Sequence, residues 1–213
     1  MNIKKILIIL FLFSLNPISS YSITPDEYVQ ATVNKASEIL SKNISKEEKI
    51  NQLKIIAKDT VDIKAVGFYS LGSFRKNLDS NQKAKYLNLF ESYFLKSFSS
   101  RLSEYTNPKI VVIGNKVLNK NYTIVNSVLI ATPDRPEVKI DWRVYTKNPE
   151  SLLIRDLIIE GLSLARTQKE EFASILNSNN NDINILFQIL KEFSKNLKIL
   201  VGPPGLEPGT NTL

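Results

Sequence analysis

Residues 79–105 read DSNQKAKYLNLFESYFLKSFSSRLSEY, the longest unbroken helical pattern in the chain. Asp79 with Gln82 three residues on is a reciprocal capping pair that satisfies two otherwise unbonded N–H groups at a helix start. At 100° per residue, Tyr86, Leu87, Leu89, Phe90, Tyr93, Phe94, Phe98, Leu102 and Tyr105 cover well over half the circumference. Asn88, Ser92, Lys96, Ser99 and Ser103 share one narrow polar strip. A helix of about 26 residues, roughly 39 Å at 1.5 Å rise per residue, with this much apolar surface needs two partners. One of them could be something apolar that is not protein.

The flanking segments supply the partners. Thr24, Pro25 and Glu27 form a capping box with proline at the first helical position, predicting a helix to about Leu40. Ser45 with Glu48 repeats the signal for a second helix to about Lys58, and a shorter helix follows Asp62 up to Gly72. Four helices therefore precede any strand. Beyond Asn107-Pro108 the period changes to two, giving strands at Ile110–Leu118, Tyr122–Thr132, Val138–Val144 and about Leu152–Ile159. Their short polar connections make them antiparallel hairpins, because parallel strands need long crossovers. Helices resume after Gly161, read here as a strand-to-helix corner, at about Ser163–Leu176 and Asp182–Leu197, with the asparagine run Asn177–Asn181 as a loop. The class is α+β, a four-stranded antiparallel sheet packed with N-terminal and C-terminal helices.

Composition narrows the chemistry. The chain has 213 residues and formal charge +7, with no His and no Cys. Ser-His-Asp and Cys-His sites are therefore excluded, along with most zinc and redox sites, disulfides and a lipid-modified cysteine. The basic excess is spread out, with no Arg-rich block to track a phosphate backbone, so nucleic acid is not an expected partner. Asp156 and Glu160 would stand about 13 Å apart on one strand at roughly 3.3 Å per residue, too far for a glycosidase carboxylate pair. They read as surface charge or helix capping. Trp142 reads as core before it reads as a stacking platform. No metal cluster and no cofactor is expected, and the chain does not read as an enzyme.

Three segments complete the layout. Residues 1–22 carry Lys4 and Lys5, an apolar run from Ile6 to Leu15 and small residues after Pro17, the pattern of a cleaved secretory signal. Residues 23–200 form one domain, and 201–213, rich in Pro and Gly, read as a disordered tail.

The order of these segments also carries a resemblance. DIKAVGFYSLG at residues 62–72, the D-x-x-Q helix with its aromatics and leucines, four strands, and a closing pattern of Asp156, Glu160, Gly161, Ser163, Leu164 and Phe172 resemble the MlaC family. These are exported proteins of the toluene-tolerance transport system, and the likeness runs from about Ile23 to Phe193. The family usually has Trp where this chain has Leu152, and Arg where it has Lys169. The resemblance implies a monomeric periplasmic carrier that holds a phospholipid by its acyl chains in an apolar pocket between a twisted sheet and helices. Its implied partners are an inner-membrane ABC transporter complex with an MCE subunit and an outer-membrane lipoprotein complex. On this reading Val128, Ile130, Ile140, Trp142 and Val144 form the oily sheet face opposite Phe90, Phe94 and Phe98, with Leu164 and Phe172 closing one end. A periplasmic chaperone receiving an apolar peptide or lipoprotein segment is the alternative.

Overall fold

The computed structural model describes residues 22–195. The signal segment, bar its last residue, and the Pro/Gly-rich tail lie outside the described residues. The three N-terminal helices are α1 (Pro25–Ser41), α2 (Lys46–Thr60) and α3 (Ile63–Leu71). Each starts where the sequence places a cap: Thr24 accepts the Glu27 N–H while Glu27 accepts that of Thr24, Ser45 accepts from Glu48, and Asp62 from Ala65. Gly72 ends α3 at φ 58°, a left-handed conformation that glycine adopts without steric cost. A 3-10 turn, Gly72–Lys76, leads to α4 (Ser80–Leu102), whose N-terminus carries the Asp79–Gln82 capping box.

The sheet is a meander of β1 (Ile110–Asn119), β2 (Tyr122–Leu129), β3 (Val138–Tyr145), β4 (Leu153–Ile159) and β5 (Leu162–Ser163), every neighbouring pair antiparallel. It has five strands where four were expected. Glu160 and Gly161 both take positive φ, 48° and 82°, which is what a two-residue type I′ hairpin requires. The strand therefore turns back on itself before α5 (Leu164–Ser178) begins, and Gly161 is a hairpin residue rather than a strand-to-helix corner. Helix α6 (Ile183–Lys195) closes the described chain. Among the described residues no helix is long and apolar enough to cross a membrane.

Helix α4 packs against α2, α3 and α6, the crowding its apolar circumference demands. Its polar strip is exposed at Asn88 and Ser92 but turns inward further along the helix. Ser99 is fully buried and donates to the Leu95 carbonyl, while the Lys96 ammonium donates to the carbonyls of Phe193 and Ser194 at the end of α6. A cation at a helix C-terminus is favourable there.

The buried side chains fall into three clusters. A helical one joins Phe90 and Tyr93 of α4 to Val66, Phe172, Leu176 and Leu186. A second lies between α1 and the sheet, with Val29 and Val33 over Val125, Trp142, Val144 and Ile154. The third, smaller, joins Ile39 and Leu40 of α1 to Leu53 of α2. The helical cluster depends on one close approach, for a Cβ placed on Gly67 would lie 2.8 Å from Cδ1 of the buried Phe90 ring. The Gly67 carbonyl also accepts the Tyr86 hydroxyl at 2.9 Å. Gly67→Val should lower the unfolding free energy by about 2 kcal/mol or more through overpacking, outweighing a propensity gain of roughly 0.4 kcal/mol. Urea denaturation measures this, and an unshifted midpoint would contradict the contact.

Candidate functional site

The three clusters surround a space that none of them fills. It is a cavity of about 350 Å³, at the lower end of the roughly 300–1,000 Å³ usual for small-molecule sites. Its helical wall is Phe90, Tyr93, Phe94, Ser97, Phe98 and Leu102, one side of α4. Another wall is the inward sheet face, with Leu129 from β2, Ile140 and Trp142 from β3, and Ile154, Leu157 and Ile159 from β4. Helices α1 and α2 close the third side with Val33, Ala36, Leu40, Leu53 and Ile56. Leu164 and Gln168 of α5 complete the far end.

The aromatic wall is ordered by ring contacts. Phe98 stacks on Phe94 with centroids 5.6 Å apart and planes 8° from parallel, and Phe94 lies 6.1 Å from Phe90. Two polar groups of the aromatic wall and the sheet have partners. The Tyr93 hydroxyl donates to Oε1 of Gln168 at 2.8 Å, and burial pushes its pKa up to about 12, so it stays a neutral donor. The Trp142 indole N–H donates to Oγ of Ser127 at 2.8 Å, and that hydroxyl donates on to the Ile140 carbonyl at 2.9 Å. The indole can therefore serve as wall without an unmatched N–H.

Of the ten positions expected to contact ligand, Phe90, Phe94, Phe98, Ile140, Trp142 and Leu164 line the cavity. The other four do not. Val128 and Ile130 have the wrong parity: Val128 stands opposite Lys139, on the outer sheet face, whereas Val125, Ser127 and Leu129 face inward. Because strand side chains alternate, choosing the wrong set moves every one of them to the other face. Val144 is fully buried between the sheet and α1 near Val29, and Phe172 sits behind Phe90, ring edge to face at 6.2 Å, within the helical cluster. Leu152, where the family usually has Trp, belongs to the sheet and α1 cluster and does not line the cavity. The contribution of α1 and α2 was missed altogether, although Val29, Val33, Ala36 and Leu40 fall on one helical stripe.

The residues of the closing sequence pattern hold the walls in place. Asp156 is buried and accepts the Ser163 hydroxyl at 2.6 Å and the Ala165 N–H at 3.0 Å, with Arg143 at 3.6 Å. Ser163 in turn accepts the Arg166 N–H at 3.1 Å, so two side chains cap α5 together. Glu160 exchanges two bonds with Lys139, donating its N–H to the carbonyl and accepting the backbone N–H on Oε1. Across the sheet, Arg155 grips the N-cap residue of α3, with Nε 2.9 Å from Oδ2 of Asp62, and its NH1 donates to the Tyr122 hydroxyl at 2.8 Å. The Asp62 N–H donates to the Ile154 carbonyl at 2.9 Å, docking the helical hairpin on β4. Among the described residues no group of acidic side chains is placed to hold a metal ion.

This is an α+β domain folded around an apolar cavity. The chain belongs to the MlaC protein family, whose model matches residues 30–192. The fold is also that of a phospholipid-binding protein from Ralstonia solanacearum, solved in complex with a phospholipid. That likeness has a TM-score of 0.68 at 18% identity and covers 81% of this chain and 98% of the other.

Asp156 thus does positional work. Asp156→Ala removes two acceptor bonds from the start of α5 and should cost about 2 kcal/mol, the loss of a buried cap. Asp156→Asn, which retains one acceptor oxygen, should cost less. Chemical denaturation of both variants checks the order, and equal stability of Asp156→Ala and wild type would remove the capping role.

Proposed function

We propose that this protein is a periplasmic carrier that binds phospholipid by its acyl chains in the cavity between α4 and the sheet. The observation that carries the proposal is the size of the cavity set against its lining. A space of about 350 Å³ with walls this apolar leaves phenyl and aliphatic surface without partner atoms. Water is a poor filler, since the walls are mostly phenyl rings and aliphatic side chains and offer few of the polar partners a buried water needs. An acyl chain supplies apolar atoms to the same walls.

The physical need for such a carrier follows from chain hydration. Bringing about 30 methylenes into water at roughly 0.8 kcal/mol each costs on the order of 24 kcal/mol, which makes unaided crossing of an aqueous space very slow. A bilayer and an apolar cavity both keep the chains dry, so exchange between them is nearly balanced and the carrier both loads and releases. Membership of the MlaC family, and the bound phospholipid of the Ralstonia protein that shares the fold, support this reading. The same reading has the signal segment removed on export. The carrier then moves lipid between an outer-membrane lipoprotein complex and an inner-membrane ABC transporter complex with an MCE subunit. Binding and release involve no covalent step, in keeping with a chain that has neither His nor Cys.

Three variants test the site with a fluorescent phospholipid. Ser97→Trp fills the cavity from α4 and Ile140→Asp puts a charge in its sheet wall, and each should reduce uptake at least tenfold while keeping a cooperative melt. Val128→Trp, on the outer face, should bind as wild type does. Loss of binding in Val128→Trp alone, with the two cavity variants unaffected, would put the lipid elsewhere.

A further inference from the structure

The cavity lining holds three arginines and one carboxylate, in walls that are otherwise almost wholly apolar. The carboxylate is Asp156, engaged by Ser163 and Ala165, and Arg155 is engaged by Asp62 and Tyr122. Arg135 differs from these two. It ends the tight turn between β2 and β3, where Thr132 and Arg135 exchange backbone bonds of 2.8 and 3.2 Å and Pro133 and Pro136 flank the site. Its guanidinium carbon lies 5.1 Å from the ring centroid of Tyr105, another lining residue. Its Nε is buried and has no hydrogen-bond partner. Among the described residues no carboxylate forms an ion pair with it, although Asp134 and Glu137 are close in sequence and exposed. Pro136, next to it in the chain, is also in the lining and is exposed, which puts Arg135 beside solvent.

A buried N–H on a charged group is costly to leave unbonded, and a guanidinium fork matches phosphate oxygens in geometry as well as charge. The geometry points to Arg135 as the phosphate-binding residue of a lipid headgroup site at the cavity mouth, so that the ligand is a lipid with an anionic phosphodiester rather than any molecule with two acyl chains. This rests on the carrier reading above. The turn holds Arg135 at the rim, Tyr105 lies against its guanidinium, and the phosphodiester supplies the acceptor that the protein lacks. The chains then extend inward along Phe98 and Phe94.

Competition separates the headgroup from the chains. The intact protein is offered equal amounts of dioleoyl phosphatidylglycerol and dioleoylglycerol, which share chains and differ in the phosphate, and bound lipid is read by native mass spectrometry. Wild type should favour the phosphatidylglycerol by about tenfold, the worth of one charge-assisted contact. Arg135→Gln should bring the two lipids to parity while still binding dioleoylglycerol. Arg135→Lys, which keeps the charge but lacks the Nε–H, should lose several-fold of the preference, and it decides the matter if Arg135→Gln does not fold. Inorganic phosphate alone at millimolar concentration should leave the melting midpoint unchanged, and a rise that Arg135→Gln abolishes would assign the site to a free anion and overturn the headgroup role. Equal uptake of both lipids by wild type, or an undiminished preference in the variants, overturns the inference and leaves the carrier reading intact. Uptake of neither lipid removes both.

Discussion

Three apolar surfaces converge around α4 without closing on one another, and the architecture follows from that. Val66 and Phe90 belong to the helical cluster, Val33, Ile140 and Trp142 to the cluster under the sheet, and Leu40 and Leu53 to the helical hairpin, yet all of them reach the same cavity. In a close-packed domain such surfaces would meet and interdigitate. Here the walls are kept apart by elements anchored elsewhere. Val29 packs α1 down on the sheet in the cluster that holds Val125 and Val144.

Polar residues fix those anchors. Asp62 joins the helical hairpin to β4 twice, through its backbone N–H to Ile154 and its carboxylate to Arg155. Asp156 and Ser163 fix where α5 starts, and the Glu160-Gly161 hairpin fixes how the chain arrives there. Gly67 sets how close α3 comes to the Phe90 ring. The residues that give the chain its most specific sequence patterns therefore hold the cavity open, and generic aromatic and aliphatic side chains line it. A carrier for acyl chains is expected to divide labour in this way, since apolar binding asks for surface and depth more than for particular groups.

Most of the fold was legible because it rests on local signals. Every cap marking α1 to α4 is a short side chain followed three residues later by its N–H donor, and each helix begins there. The strands were legible by period. What failed was parity and reach. On β2 both alternating sets mix polar and apolar residues, and the inward set includes Ser127, whose hydroxyl is buried because it bridges Trp142 and Ile140. A local pattern cannot reveal a partner one strand away. Phe172 and Val144 look like wall residues from the sequence, but Phe90 and Val29 respectively stand over them. The fifth strand was hidden because Glu160 takes a left-handed conformation that few non-glycine residues adopt.

The central claim is that an acyl-chain lipid fills the space between α4 and the sheet. The most direct measurement is native mass spectrometry of the protein purified without detergent, followed by solvent extraction of whatever it carries. The account predicts a complex heavier than the polypeptide by the mass of a phospholipid, with that lipid in the extract. A polypeptide free of lipid, or one carrying a peptide in its place, would contradict it.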